Sequence, residues 1–184
     1  MRVHAHRVAA TVCDMDAIGI LQDAFERVTG SVHAAVDGLT ADELTWRPDS
    51  DANTIGWLVW HLTRIQDDHL AGVTDRDQVW ATDDWASRFG LPDGVMDHGY
   101  GHTSEQVAAL RPESTDVLLA YHDAVAAAIA DDLASLDARA LDRVIDERWD
   151  PPVTVAVRLV SVVNDAMQHT GQAAYVRGLL ERHR

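Results

Sequence analysis

The sequence predicts an all-α protein, a four-helix bundle whose second and third helices are joined by a long, partly helical connection. Four long segments carry apolar residues at intervals of three and four, the period of a helix with one buried face. Glycine and proline separate these segments, and no series of alternating apolar and polar residues indicates a sheet. Four long amphipathic helices are typical of a bundle.

The length of the chain, 184 residues, suits one hydrophobic core. We predict a single domain over residues 15–184 and a loose N-terminal extension over residues 1–14, with Met15 as an alternative start. Cys13 is the single cysteine, which excludes a disulfide framework and a thiolate zinc site and favours a reducing, cytoplasmic setting. No apolar run approaches the roughly 20 residues that a membrane span needs.

The first helix is predicted over residues 16–36, and Gly38 ends it. Thr40 and Glu43 have the spacing of a capping box, in which each residue satisfies a backbone N–H of the other. They therefore predict a short helical turn, which Pro48 closes.

Asn53 is a favourable N-cap for the second long helix, predicted over residues 53–71. The helical period is then lost over residues 72–111, which are rich in tryptophan, glycine and acids, except for a short helical piece at 104–110. Long connections of this kind are usually functional, and we expect this one to cover a pocket.

The third long helix is predicted over residues 114–136 and is followed by a turn over residues 137–143. Pro151 and Pro152 then interrupt the chain, and the fourth long helix is predicted over residues 153–181. The apolar side of the first or third helix would suit a two-fold homodimer, and the sequence leaves the choice of face open.

The charged residues are strongly unbalanced. Fifteen arginines and no lysine stand against 30 acids, so the net charge is −15. A surface of this charge repels phosphate backbones, which excludes nucleic acid as an expected partner.

A candidate metal site lies on the second and fourth helices. Asp165 and His169 are four residues apart, so their side chains project from one helical face about 40° apart. His61 lies in the apolar part of the second helix and is expected to point into the bundle. Two imidazoles and one carboxylate suit zinc, which we favour, or nickel, iron or manganese, and three protein ligands leave a position for water or substrate. A solvated Asp–His pair and an ordinary core histidine are the alternative interpretation.

Two motifs carry a family resemblance. Residues 53–62, NTIGWLVWHL, and residues 164–172, NDAMQHTGQ, resemble the DinB-like superfamily, also called the YfiT-like metal-dependent enzymes. That resemblance implies a four-helix bundle with the metal held by His61, Asp165 and His169. Many members have histidine at the first position of the last motif, whereas this chain has Asp165. An acid there resembles the mycothiol transferase branch.

The resemblance implies a metal-dependent S-transferase, in which a low-molecular-weight thiol such as mycothiol attacks a small electrophilic substrate. Metal coordination lowers the pKa of a thiol and so makes the thiolate available at neutral pH. Two other classes remain open. One is a hydrolase or isomerase that uses metal-bound water, and the other is a non-catalytic, stress-related binding module in which the three side chains form a polar core network.

Further candidates lie on the same helical faces as the ligands. Asp68 follows His61 by seven residues and Arg158 precedes Asp165 by seven, so each lies about two turns from its ligand. We expect Arg158 to bind a substrate or cofactor carboxylate, or else to form an ion pair with an acid such as Asp68. Asp68 is a further cofactor-binding candidate.

Gln172, on the last helix, is expected to orient a ligand or bound water, or to serve packing only. In the long connection, Tyr100 and His102 are candidate proton donors or bases, and His98 is a weaker one. Trp57 and Trp60 flank His61 and are expected to supply core packing or an aromatic pocket wall.

Overall fold

The computed structural model describes residues 15–92 and 95–183. Four long helices form the bundle: α1 (Ala17–Val36), α3 (Ile55–Thr74), α6 (Thr115–Ser135) and α7 (Val155–His183). Helices α3 and α1 each pack against both α6 and α7. Short helices occupy the connections: α2 (Ala41–Leu44), α4 (Trp85–Arg88) and α5 (Ser104–Ala109). The predicted all-α bundle is confirmed, whereas the extension over residues 1–14, with Cys13, lies outside the described residues.

Side-chain caps define where the helices begin. The predicted capping box is present at α2, where Thr40 and Glu43 bond each other's backbone N–H groups. The second long helix begins one residue later than predicted. Thr54, not Asn53, caps it, because the Thr54 hydroxyl accepts the backbone N–H of Trp57 at 2.9 Å.

A small antiparallel hairpin precedes the last helix and was missed by the sequence prediction. Strands β1 (Val144–Asp146) and β2 (Val153–Thr154) pair there, and α7 begins only at Val155. Strands of three and two residues are too short to show a period of alternating side chains, so the pattern could not indicate them. The hairpin brings Asp146 and Trp149 beside the first turns of α7.

The core is apolar, with one buried charged network on α3. Arg64 is fully buried and donates to the Asp67 carboxylate (3.3 Å) and the Tyr121 hydroxyl (3.2 Å). The same guanidinium donates to the backbone carbonyls of Met96 (3.3 Å) and Asp97 (3.2 Å) in the long connection. This network therefore ties the connection to α3. No helix within the described ranges is long and apolar enough to cross a membrane.

Candidate metal centre

The three predicted ligands come together between α3 and α7. His61, Asp165 and His169 each offer one ligand atom, and these atoms lie within 4.8 Å of one another. The rings of His61 and His169 meet edge to face, with centroids 4.6 Å apart. His61 is buried, and the other two side chains are partly exposed. The cluster thus has a buried side and a side that opens outward.

The tautomer of His61 follows from its backbone partner. Its Nδ1 donates to the carbonyl oxygen of His98 in the long connection. Because the proton is on Nδ1, Nε2 carries the lone pair that a metal requires. Such an outer hydrogen bond fixes both the ring orientation and the tautomer of a metal-binding histidine.

His169 and Asp165 are arranged in a comparable way on α7. Nδ1 of His169 donates to the backbone carbonyl of Asp165 at 2.9 Å, which leaves Nε2 of His169 free. The Oδ2 atom of Asp165 lies 3.4 Å from the same Nδ1, but the N–H is directed at the carbonyl. Among the described residues, this buried Oδ2 has no hydrogen-bond partner. A buried, unsatisfied carboxylate oxygen beside two imidazole lone pairs fits a divalent cation.

Burial and mutual contact shift the pKa values of the three candidate ligands. Burial lowers the pKa of His61, which the hydrogen bond to His98 opposes and the charge of His169 reinforces. Burial alone would raise the pKa of Asp165, but His169 and then His61 outweigh it and hold the pKa below its ordinary value. Contact with the Asp165 carboxylate raises the pKa of His169. An ionised Asp165 and a neutral His61 are the forms that bind a metal ion.

Aromatic packing fixes the inner wall of the cluster. The indole of Trp57 stacks on the His61 ring, with centroids 4.8 Å apart and an interplanar angle of 6°. Trp57 and Trp60 are both buried, so both belong to the core, and Trp57 also forms the aromatic wall. Gly99 packs against this wall. A Cβ atom there would lie 2.8 Å from Trp60 and 3.2 Å from Nδ1 of His61.

A cleft of about 350 Å³ leads from the surface to Asp165. The structure brings Asp165 together here with two other predicted residues, Arg158 and Tyr100, and with His69 and Trp149, which the sequence prediction missed. Tyr100 is 86% exposed and stands at the edge. The remaining walls are largely apolar and include Ile65, Val153, Val157 and Val162.

Arg158 has other partners than the predicted Asp68. Its guanidinium donates to Nδ1 of His69 at 3.0 Å and lies 3.7 Å from the Asp146 carboxylate. The suggested ion pair with Asp68 was therefore wrong in its partner, because the hairpin places Asp146 beside α7. Burial lowers the pKa of His69, and the charge of Arg158 lowers it further. The position of His69 on α3, next to Asp68, was the available signal for it.

The other predicted residues lie at different places. Asp68 accepts from the Gln78 amide at 2.8 Å and lines a neighbouring cleft of about 500 Å³. Gln172 is exposed on α7. The cofactor-binding roles of Asp68 and Gln172 stay predictions.

His102 is held away from the cleft by two hydrogen bonds. Its Nδ1 accepts from the Trp57 indole at 3.1 Å, and its Nε2 donates to Asp97 at 2.7 Å. It lines a separate cavity of about 180 Å³ and stacks on Trp60. Both ring nitrogens are engaged, so this geometry favours positioning of the connection, and a role in proton transfer stays a prediction.

The fold and the cluster together define a helical-bundle protein with an open candidate site for one divalent metal. Residues 24–173 match the model of the DinB superfamily, so the chain belongs to that superfamily, which is generally metal-dependent. A crystal structure of a conserved protein from Enterococcus faecalis is similar, with 30% identity and a TM-score of 0.81 over 89% of this chain and 96% of that one. No curated protein matches the chain significantly.

Proposed function

We propose that the protein is a metal-dependent transferase in which a low-molecular-weight thiol of the mycothiol type attacks a small electrophilic substrate. His61, Asp165 and His169 would hold the metal, with zinc favoured over nickel, iron or manganese. The observation that carries this proposal is the buried, unsatisfied Oδ2 of Asp165, on a residue that also lines an open cleft.

With a divalent ion held by these residues, the pKa of a thiol beside it would be lowered, so that a thiolate would be available at neutral pH. The chain supplies the remaining requirements. Its apolar walls, Ile65 and Val162 among them, offer contact surface for the apolar parts of the substrates. In the reaction the thiol releases its proton to solvent, and a bond forms between its sulfur and a carbon of the electrophile. The bond from that carbon to the leaving group breaks, and the leaving group departs with the electron pair.

The thiol has to come from a second substrate. Cys13 is the single cysteine of the chain and lies outside the described residues. Among the side chains that line the cleft, none is a thiol. Arg158 and Tyr100 remain the candidates for contact with the substrates, as a cation and as a hydroxyl donor respectively.

A hydrolase or isomerase that activates a water molecule is the second candidate, and His69 favours it. This imidazole lines the same cleft as Asp165 and has a lowered pKa, owing first to burial. A neutral imidazole becomes a general base here once a bound ligand draws the Arg158 guanidinium away from Nδ1 of His69. Turnover in the complete absence of a thiol would identify this second function.

The test combines metal content with turnover. Purified protein is loaded with zinc, nickel, iron or manganese in turn, and consumption of mycothiol or a surrogate thiol is followed with an electrophilic acceptor. We expect about one metal per chain and thiol-dependent turnover, both lost in His61→Ala and His169→Ala. The control is His183→Ala, which removes an exposed histidine at the far end of α7.

Three outcomes would contradict the proposal. Metal loss with unchanged turnover would show that the cluster does not serve the chemistry. Turnover without a thiol would favour the hydrolase or isomerase. Failure to bind a stoichiometric metal would leave the binding module as the function of this bundle.

A further inference from the structure

Two clefts meet at one pair of side chains. The apolar cleft that reaches Asp165 shares His69 and Arg158 with the neighbouring cleft of about 500 Å³. The second cleft is highly charged, and its lining includes three arginines and three aspartates: Arg76, Arg148, Arg158, Asp68, Asp75 and Asp146. A ligand that extends from one cleft to the other has to pass over His69 and Arg158, which are hydrogen-bonded to each other at 3.0 Å.

Of the three arginines that line the charged cleft, Arg158 has the weakest pairing with a carboxylate. Arg148 holds Asp146 with two short hydrogen bonds of 2.9 and 2.8 Å. Arg76 is paired with both Asp67 and Asp132. Arg158, by contrast, lies 3.7 Å from an Asp146 already bound by Arg148 and donates to Nδ1 of His69. The Asp68 carboxylate lies 3.3 Å from that same nitrogen, so it contacts His69 and not the guanidinium.

The distance from this junction to the candidate metal ligands can be read along two antiparallel helices. On α7, Arg158 and Asp165 are seven residues apart, a rise of about 10 Å. On α3, His69 and His61 are eight residues apart, a rise of about 12 Å. Both helices therefore give a distance of about 10–12 Å between the junction and the candidate metal ligands. The walls of the cleft between these two points are mainly apolar.

We propose that Arg158 and His69 form an anion-binding subsite at this junction, and that the molecule bound in the cleft is an organic acid. Its carboxylate is separated by an apolar segment from the atom it presents to His61, Asp165 and His169. The guanidinium fork donates to the carboxylate, as arginine does in bidentate recognition. This inference rests on the proposed function and specifies one of its substrates.

The distance between the junction and the candidate metal ligands sets the length of the ligand. A metal–sulfur bond of about 2.3 Å and a charge-assisted hydrogen bond of about 2.8 Å take up roughly half of the span. An apolar chain of a few methylene groups fills the rest. A mercaptocarboxylate with a shorter chain reaches one end only, and a longer one has to fold back.

The experiment is a calorimetric titration with a series of thiols that differ in length. Mercaptoacetate, mercaptopropionate, mercaptohexanoate and mercaptoundecanoate are compared with mercaptoalcohols of equal length, on protein with and without cobalt(II). We expect the carboxylate to bind at least about tenfold more tightly than the alcohol at an intermediate length, as for a hydrogen bond to a charged group. Both shorter and longer pairs should show a smaller difference.

Variants assign the preference to the proposed residue. Arg158→Gln should remove the carboxylate preference, and Arg158→Lys should restore part of it. Arg139→Gln is the control, because it removes the same charge from an exposed arginine that lines neither cleft, and it should keep the preference. The cobalt absorption spectrum of each variant verifies that the metal ligands are intact.

A carboxylate preference that is absent, or independent of both chain length and Arg158, would overturn the subsite. Failure of the proposed function looks different. In that case the thiol adds nothing to binding when cobalt is present, while plain carboxylates still bind through Arg158.

A second titration separates the two possible sources of the acid. If the acid is the acceptor substrate, heptanoate and mercaptoethanol bind to the cobalt protein together. If the acid is part of the thiol substrate, each should weaken the binding of the other.

Discussion

At the scale of single residues, the two buried histidines His61 and His122 both lie within apolar helical segments, but the structure gives them different neighbours. His122 donates from Nδ1 to the Thr63 hydroxyl at 2.9 Å, and its buried Nε2 has no partner among the described residues. His61 also keeps Nε2 free, but a carboxylate and a second imidazole lie within reach. A free imidazole nitrogen therefore indicates a ligand only where other ligands converge on it.

The burial of His122 makes the stability of the protein depend on pH. Burial lowers its pKa from 6.5 to about 4. Below pH 6.5 the unfolded chain takes up a proton that the folded chain excludes, so the stability conferred by the neutral imidazole is complete above pH 6.5 and is lost as the pH falls towards 4. The full loss amounts to roughly 3 kcal/mol.

We expect His122→Gln to flatten the decline in the free energy of unfolding between pH 6.5 and 4. The measurement is urea denaturation of metal-free protein across this range, with His183→Gln as a control at an exposed position. Parallel pH profiles for wild type and His122→Gln would show that another group causes the acid sensitivity.

At the scale of elements, the long connection positions His61, one of the three candidate metal ligands. Arg64 holds the carbonyls of Met96 and Asp97, and the next carbonyl, that of His98, accepts from His61. Hydrogen bonds in the interior are costly to leave unmade, so this segment has little freedom to move. The buried network on α3 thus orients the candidate ligand His61 through the connection, without contacting the cluster itself.

Gly99 is the residue on which this arrangement depends. With φ of +87° and a Cβ position 2.8 Å from Trp60, alanine here meets both backbone strain and a collision. We expect Gly99→Ala to displace the His98 carbonyl. It should destabilise the fold by about 1–3 kcal/mol, as overpacking does, and weaken metal affinity by about 10–100-fold, as loss of an outer hydrogen bond does.

Gly101 supplies the matched control for this prediction. Its φ is +75°, but nothing lies within 4 Å of its Cβ position, so Gly101→Ala introduces strain without a collision. Denaturation and metal titration of both variants separate the two effects. Equal metal affinity in the two alanine variants would contradict a role of the connection in orienting His61.

At the scale of the whole molecule, the net charge of −15 dominates. Like charges repel one another more strongly in the compact state than in the extended chain. Raising the salt from about 10 to about 150 mM shortens the screening length from about 30 to about 8 Å. We therefore expect the melting temperature of metal-free protein to rise by a few degrees, since about 1 kcal/mol corresponds to about 2–4 °C for a domain of this size.

The exposed ion pairs act in the opposite direction, because salt weakens them. Pairs such as Arg27–Asp23 and Arg177–Glu181 are the relevant ones, and each contributes little. A melting temperature that falls with salt, measured by calorimetry, would show that such pairs outweigh the overall repulsion.

The homodimer stays a prediction. Large apolar side chains are exposed on α1 and α7, where Ile20, Val160, Met167 and Tyr175 are all more than half exposed. Helix α1 was one of the two expected faces. The exposed residues of α7 add a face that the helical pattern did not indicate.

The sequence by itself determined the four long helices and the pair formed by Asp165 and His169, while the motif around His61 supplied the third candidate ligand through a family resemblance. The helices and the pair follow from local order, because the helical period decides which residues share a face and the four-residue spacing brings Asp165 and His169 together. Only the tertiary structure decided what surrounds these three residues. Arg158 and His69, for example, are 89 positions apart and meet because α3 and α7 pack side by side. Contacts across such distances depend on how helices and connections assemble, and no local pattern encodes them.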